Sequence, residues 1–233
     1  MSEHSYRSAL IVGAGSGLSA SLARAFAKAE MSVVLAARSA AKLDEFVKAT
    51  DAKAFNCDAA KRDEVETLFA DLDAAKLTPD VVVYNASYRT RGPFIELDPV
   101  EVAKAIEITA FGAFLVGQAA ARRMLPRGHG AILFTGASAS VKGYAQSAPF
   151  AMGKFALRGL AQSMARELAP QGIHVAHFVI DGGIKSERRP EPPGQHASML
   201  DPDAIAATYL HVLHQPPSAW TWEVELRPWV EKF

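Results

Sequence analysis

The chain has 233 residues, of which 49% are hydrophobic, enough for one sizeable core and typical of a single α/β domain. Its 25 basic residues balance 25 acidic ones, which argues against nucleic acid or an anionic membrane as the main partner. No apolar run is long enough to span a bilayer, and the polar start Met1 to Arg7 lacks the form of a signal peptide. The single cysteine, Cys57, can form no disulfide within the chain, which fits a reducing cytoplasm.

Strand-like and helix-like segments alternate along the chain, a pattern that predicts βαβ units and a parallel sheet. Ser8 to Val12 reads as a central strand and runs into Gly13-Ala14-Gly15-Ser16-Gly17-Leu18-Ser19. Three glycines in five residues cost conformational entropy, a cost that makes sense where something must approach the backbone closely. Leu18, Leu22, Ala25, Phe26 and Ala29 follow at helical spacing. A helix starting there aims unpaired N–H groups and the positive end of its dipole at the strand exit, a geometry that binds phosphate. The spacing departs from G-x-G-x-x-G, because Leu18 stands where the third glycine belongs. A tight strand–helix turn with no ligand is the alternative.

The second strand, Ser32 to Ala37, ends at Arg38-Ser39, with Ser39 a candidate cap for a helix from Ala40 to Ala49. In a dinucleotide site the end of this strand meets the adenosine ribose. An acid there suits the 2′-hydroxyl and an arginine suits a 2′-phosphate. No acid follows the end of this strand until Asp44, so Arg38 favours NADP over NAD and the missing acid disfavours S-adenosylmethionine; a solvated surface arginine is the alternative. Lys53 to Cys57 is a third strand ending in Asp58, which can meet an adenine amino group or cap the turn into a helix from Lys61 to Lys76. Asp80 to Tyr84 is the fourth strand and exits into the small residues Asn85-Ala86-Ser87, across which a cofactor can lie.

A single helix is expected from Asp98 to Met124, with Asp98 as cap and Pro99 at its first position. The fifth strand, Ala131 to Thr135, exits into Gly136-Ala137-Ser138-Ala139-Ser140. A long helix from Pro149 to Ala169 leads to the sixth strand, Ile173 to Ile180. The proline- and charge-rich stretch Ser186 to His196 reads as an exposed loop, not a domain boundary. A last helix runs from Asp201 to His214, and Thr221 to Leu226 closes the sheet. The aromatic run Trp220 to Trp229 reads as packing on the core or on a neighbouring subunit, with a wall over a substrate pocket as the alternative. The histidines, His4 among them, show no metal-ligand spacing, and no Ser-His-Asp order marks a hydrolase.

Taken together, these segments resemble the short-chain dehydrogenase/reductase family over essentially the whole chain. The Gly13–Gly17 turn, Asp58, Asn85-Ala86-Ser87, the segment Phe150 to Ala156 and Gly172-Ile173-His174-Val175 carry the resemblance. It implies one Rossmann-type α/β domain over residues 1–233, doubly wound, with helices on both faces of a mainly parallel seven-stranded sheet of order 3-2-1-4-5-6-7. It also implies a nicotinamide cofactor held by Gly13, Gly15, Ser16, Gly17, Leu18, Arg38, Asp58, Asn85, Ala86, Ser87, Lys154, Gly182 and Ile184. The substrate would be a small carbonyl or alcohol compound. Homodimers or homotetramers would pack through the fourth and fifth helices.

The resemblance also locates a departure. In the family a tyrosine phenol moves the proton at the substrate oxygen, and a lysine four residues later lowers its pKa and holds the nicotinamide ribose. A phenol titrating at about 10 needs that cation to work at neutral pH. Here Lys154 is in place, but the tyrosine position is Phe150. The family's serine falls on Ala137, with Ser138 beside it; its asparagine falls on Thr109, and its Pro-Gly on Asp181-Gly182. Lys154 and Ser138 are the expected catalytic residues, and Tyr144, Tyr88, His177 and Asp181 are further candidates to replace the phenol. Two functions follow: an NADP(H)-dependent oxidoreductase with a non-standard active site, or a nucleotide-binding pseudoenzyme with a regulatory or partner role.

Overall fold

In the computed structural model, which describes residues 6–187 and 189–231, seven strands lie in the order 3-2-1-4-5-6-7. They are β1 Ser8–Val12, β2 Ser32–Ala37, β3 Lys53–Asn56, β4 Val81–Tyr84, β5 Gly130–Thr135, β6 Ile173–Ile180 and β7 Glu223–Leu226. Every pairing is parallel, so the implied order holds and the sheet is parallel throughout. The helices are α1 Leu18–Lys28, α2 Asp44–Thr50, α3 Arg62–Ala74, α4 Pro99–Ile106, α5 Gly112–Met124, α6 Ala148–Leu168 and α7 Pro202–Leu213. His4 and most of the polar start read above as no signal peptide lie outside the described residues.

The central strands are continuous apolar runs because both of their faces are covered. Successive side chains of a strand point to opposite faces, so Leu10 and Ile11 enter different cores. On one face Leu10, Val82 and Phe134 pack with Phe69 of α3, Val116 of α5 and Leu157 of α6. On the other, Ile11, Val83 and Phe178 pack with Leu22 and Phe26 of α1 and Tyr209 of α7. Each such fully buried side chain contributes about 1.5–3 kcal/mol by leaving water. All seven strands point their carboxyl ends the same way, which gathers the loops after β1, β2, β4, β5 and β6 along one edge.

Three expectations need correction. The segment 40–49 is not one helix: a 3₁₀ turn, Ala40–Leu43, precedes α2. Ser39 makes no cap bond, and the Ala40 N–H donates instead to Asn56 Oδ1 at 2.8 Å. The helix expected over 98–124 is broken by a π-helical turn, Glu107–Phe111, between α4 and α5. The Tyr84 hydroxyl donates to Ile108 O inside that turn, and a Cβ on Gly112 would lie 2.5 Å from the same hydroxyl. A side chain from the sheet thus takes up a carbonyl of the widened turn. Finally, Cys57 and Thr221 fall just outside β3 and β7, although Cys57 N–H still donates to Ala37 O at 2.9 Å. Asp98 caps α4 as expected, accepting from Val100 N–H at 2.9 Å.

The aromatic tail packs. The Trp220 ring stacks on His174 with centroids 4.6 Å apart, and Trp222 lies against the core with the Arg158 guanidinium 5.8 Å from its ring. Trp229, in contrast, is exposed.

Candidate active site

At Gly13 the chain turns with φ +83°, and both Gly13 N–H and Ala14 N–H donate to Ala36 O. A Cβ at this position would lie 2.4 Å from Ala86 N, so only glycine fits. The turn is fastened from above. Asn85 Nδ2 donates to Ser19 Oγ at 2.7 Å, and Ser19 Oγ donates to Gly13 O at 3.2 Å. Gly15 and Gly17 differ in kind: a Cβ on either would meet nothing within 4 Å. Gly17 caps α1 without a side-chain bond, so the first N–H groups of that helix await an acceptor. Open space over glycines, facing unpaired N–H groups, fits a pyrophosphate. Leu18 can take part only through its backbone, because its side chain is buried in the core. Ser16 is exposed beside it.

A cavity of about 230 Å³ follows the carboxyl ends of β1 to β4, lined by Gly13, Ala14, Arg38, Asp58, Asn85 and Ala86 among others. Arg38 stands exposed at its wall, directly after β2. Asp58 caps the turn after β3, its carboxylate accepting from Ala60 N–H at 3.1 Å, and it also lines the cavity. Ser16 and Gly17 line a separate hollow, with Ser21 and Arg24 of α1.

A second cavity, about 820 Å³, shares Asn85 and Ser87 with the first and continues along the sheet edge to β5 and β6. Ser138, Tyr144, Phe150, Lys154, Gly182 and Ile184 all line it. Lys154 is buried where α6 crosses the end of β5, and its Nζ donates to Thr135 O at 2.7 Å. Burial pushes its amine down to about 7. Phe150 lies one turn earlier on α6, with the Lys154 Nζ 5.8 Å from its ring centroid. A hydrocarbon ring therefore stands beside the lysine in the cleft. Thr109 is buried in the π-helical turn, where its hydroxyl accepts from Tyr88 N–H at 3.3 Å and its methine carbon crowds Gly153.

The candidates to replace the phenol separate clearly. The Tyr88 hydroxyl is engaged by the Glu101 carboxylate, and the residue lines the first cavity, not the second. His177 is fully buried behind Gly136, with Nδ1 3.1 Å from Glu223 Oε2. Burial holds it down to about 4, despite the opposing pull of Glu223, and it does not line the cleft. Asp181 lines the cleft but is held by Lys142 at 3.2 Å and Arg227 at 2.9 Å. Ser138 and Tyr144 line the cleft; in the turn after β5 it is the Ser140 hydroxyl that accepts the Ala137 N–H, at 3.1 Å. Among the described residues no three His, Cys, Asp or Glu side chains gather as a metal site.

Sequence reasoning missed three cleft residues: Arg89, Arg91 and Arg189. The Arg89 guanidinium carbon lies 4.8 Å from the Phe150 ring centroid. A signal existed in Arg89-Thr90-Arg91, which directly follows the turn after β4, and in the charge of the loop after β6.

With this geometry in hand, comparisons with known proteins are informative. The family model described as short chain dehydrogenase matches residues 7–191. A short-chain dehydrogenase from Rhodopseudomonas palustris is 35% identical, with a TM-score of 0.81 over 96% of this chain and 99% of that one. A metagenomic short-chain oxidoreductase solved in complex with NADP is 26% identical, with a TM-score of 0.83 over 95% of this chain and 97% of that one. Farnesol dehydrogenase of Aedes aegypti is 28% identical over 97% of both chains. The seven-stranded parallel sheet, the glycine turn and the lysine at the end of β5 thus sit in a chain that belongs to the short-chain dehydrogenase family.

Proposed function

We propose that the protein is an NADP(H)-dependent oxidoreductase for a carbonyl or alcohol substrate, working without the family's tyrosine. One observation carries the reading: two cavities that share Asn85 and Ser87 lie along the strand ends, the first lined by Arg38 and the glycine turn, the second by a lysine buried at Thr135 O. The open N-terminus of α1 over Gly15 and Gly17 is the fit for the cofactor's phosphates, with Gly13, Ser16 and Leu18 offering backbone. Arg38 would hold a 2′-phosphate. Asp58, Asn85, Ala86 and Ser87 line the first cavity, and Gly182 and Ile184 line the second. A bound nicotinamide supplies or accepts the hydride.

Lys154 would orient the ribose. Its amine, held down to about 7, is also able to exchange a proton near neutral pH, where general acid–base groups work best. Ser138 would donate to the substrate oxygen. Phe150 has no proton to give, so it only shapes the pocket. The exposed apolar side chains Val100, Phe111, Phe114, Met152 and Phe155 on and beside α4, α5 and α6 support a homodimer or homotetramer through that face, to be read by light scattering. The free, buried Cys57 is consistent with residence in the cytoplasm.

The test is a fluorescence titration with NADPH and NADH, followed by a carbonyl panel. NADPH is expected to bind roughly tenfold or more tightly than NADH, with the preference lost in Arg38→Ala. Lys154→Ala is expected to lower turnover by about 10²–10⁴. Failure of both dinucleotides to bind would overturn the reading. Binding without turnover in both wild type and Phe150→Tyr would favour the pseudoenzyme.

A further inference from the structure

Three arginines face the substrate half of the cleft. Arg89 and Arg91 come from the loop after β4, and Arg189 comes from the loop after β6, a hundred residues away in the chain. Among the described residues none of the three is in an ion pair with a carboxylate. Of the two acids lining the same cleft, Asp181 is already held by Lys142 and Arg227, and Glu231 stands in the C-terminal tail without a pairing to any of the three. The chain as a whole carries no net charge, so this is a local concentration of one sign.

The three are held near one another by other means. The Arg89 guanidinium lies over the Phe150 ring at 4.8 Å. Its loop is tied to the segment before α6 by Gly92 N–H donating to Gln146 O at 3.2 Å. The Arg189 guanidinium carbon lies 2.7 Å from where a Cβ on Gly183 would be, so only glycine at 183 lets the group lie there. The Arg189 backbone is fixed by reciprocal bonds with Ser186, at 2.9 and 3.0 Å. Partial burial, and then the like charges of Arg91 and Arg189, push Arg89 below its ordinary value. Converging guanidinium groups repel one another unless an anion sits among them. Their planar donor forks match the oxygens of a carboxylate or a phosphate.

We propose that the substrate is a carbonyl or alcohol compound bearing an oxyanion group, carboxylate or phosphate, and that Arg89, Arg91 and Arg189 bind that group beside Phe150. This rests on the oxidoreductase reading for its carbonyl half; the anion half stands on the arginines alone. Lys154 and Ser138 then share one cavity with the arginines that would anchor the substrate.

The experiment uses matched pairs of probes, each titrated by calorimetry with and without NADPH. One pair is 4-oxopentanoate and its methyl ester; the other is dihydroxyacetone phosphate and dihydroxyacetone. At least one anionic member is expected to bind roughly tenfold or more tightly than its neutral partner, the worth of one charge-assisted hydrogen bond. Which pair responds tells carboxylate from phosphate. The preference should fall away in the triple variant Arg89→Gln, Arg91→Gln, Arg189→Gln, and in part in Arg189→Gln alone, while NADPH affinity stays as in wild type. Equal binding within both pairs, no binding of any probe, or a preference that survives all the variants would overturn the proposal. If NADPH fails to bind while the anion preference persists, the oxidoreductase reading falls and the anion site stands.

Discussion

Ser19 Oγ accepts from Asn85 Nδ2 at 2.7 Å and donates to Gly13 O at 3.2 Å, so one hydroxyl joins the exit of β4 to the turn after β1. The hydroxyl is buried, and both of its neighbours lose a partner if it goes. Ser19→Ala is therefore expected to lower stability by about 1–3 kcal/mol, the cost of stranding buried polar groups. It should also weaken dinucleotide binding, because the turn that faces the phosphates is no longer tied to the sheet. Urea unfolding with a parallel titration checks both; an unchanged midpoint would remove the coupling.

The glycines of that turn should separate by readout. Gly13→Ala meets Ala86 backbone at 2.4 Å and a positive φ, so it is expected to destabilise by more than about 2 kcal/mol. Gly15→Ala and Gly17→Ala meet nothing, and their melting temperatures should shift little. Their effect should instead fall on dinucleotide affinity, because the added methyl group occupies the open space over α1. Thermal melts beside titrations distinguish the two classes. Gly15→Ala with wild-type affinity would argue that nothing approaches there.

Cys57 is buried at the end of β3, and burial, followed by the charges of Glu64 and Asp58, pushes its thiol up to about 12. At pH 7.5 almost none of it is thiolate, the reactive form. Labelling by a thiol-specific disulfide reagent is expected to be slow in the folded protein and to accelerate by orders of magnitude in urea. Fast labelling of the native state would show that the strand ends open readily.

The sheet was legible because its central strands are buried on both faces. Unbroken apolar runs such as Val81 to Tyr84 admit one reading once helices alternate with them. Gly13, Arg38 and Lys154 were legible for a related reason: each stands directly at a strand end or on the helix beside it, so its address in sequence is its address on the cleft. The π-helical turn was not. Residues 107–111 keep apolar spacing that suits an ordinary helix, and the cause of the break, the Tyr84 hydroxyl against Ile108 O, comes from another element. The arginine group was hidden for a stronger reason. Nothing in local periodicity links Arg89 to Arg189; only the parallel sheet brings the loops after β4 and β6 onto one cavity.

The buried amine of Lys154 makes stability depend on pH in a window set by its shift. In the folded chain it loses its proton near pH 7, whereas in the unfolded chain it keeps it up to the ordinary lysine value of about 10.5. Between those limits the unfolded state binds more protons, so raising the pH favours the fold. Below pH 7 both states are charged, and the full cost of burying the cation is borne. Lys154→Met removes the titration while keeping the length of the side chain. The bond to Thr135 O is lost as well, but to a first approximation that loss shifts the whole curve and leaves the slope to the amine. From pH 6.5 to 9, wild type is therefore expected to gain about 2–3 kcal/mol relative to Lys154→Met. Urea unfolding of both proteins at several pH values reads this directly. Parallel profiles would mean that the amine is solvated in the folded state, and the role of Lys154 as a proton-exchanging group near neutral pH would then lose its support.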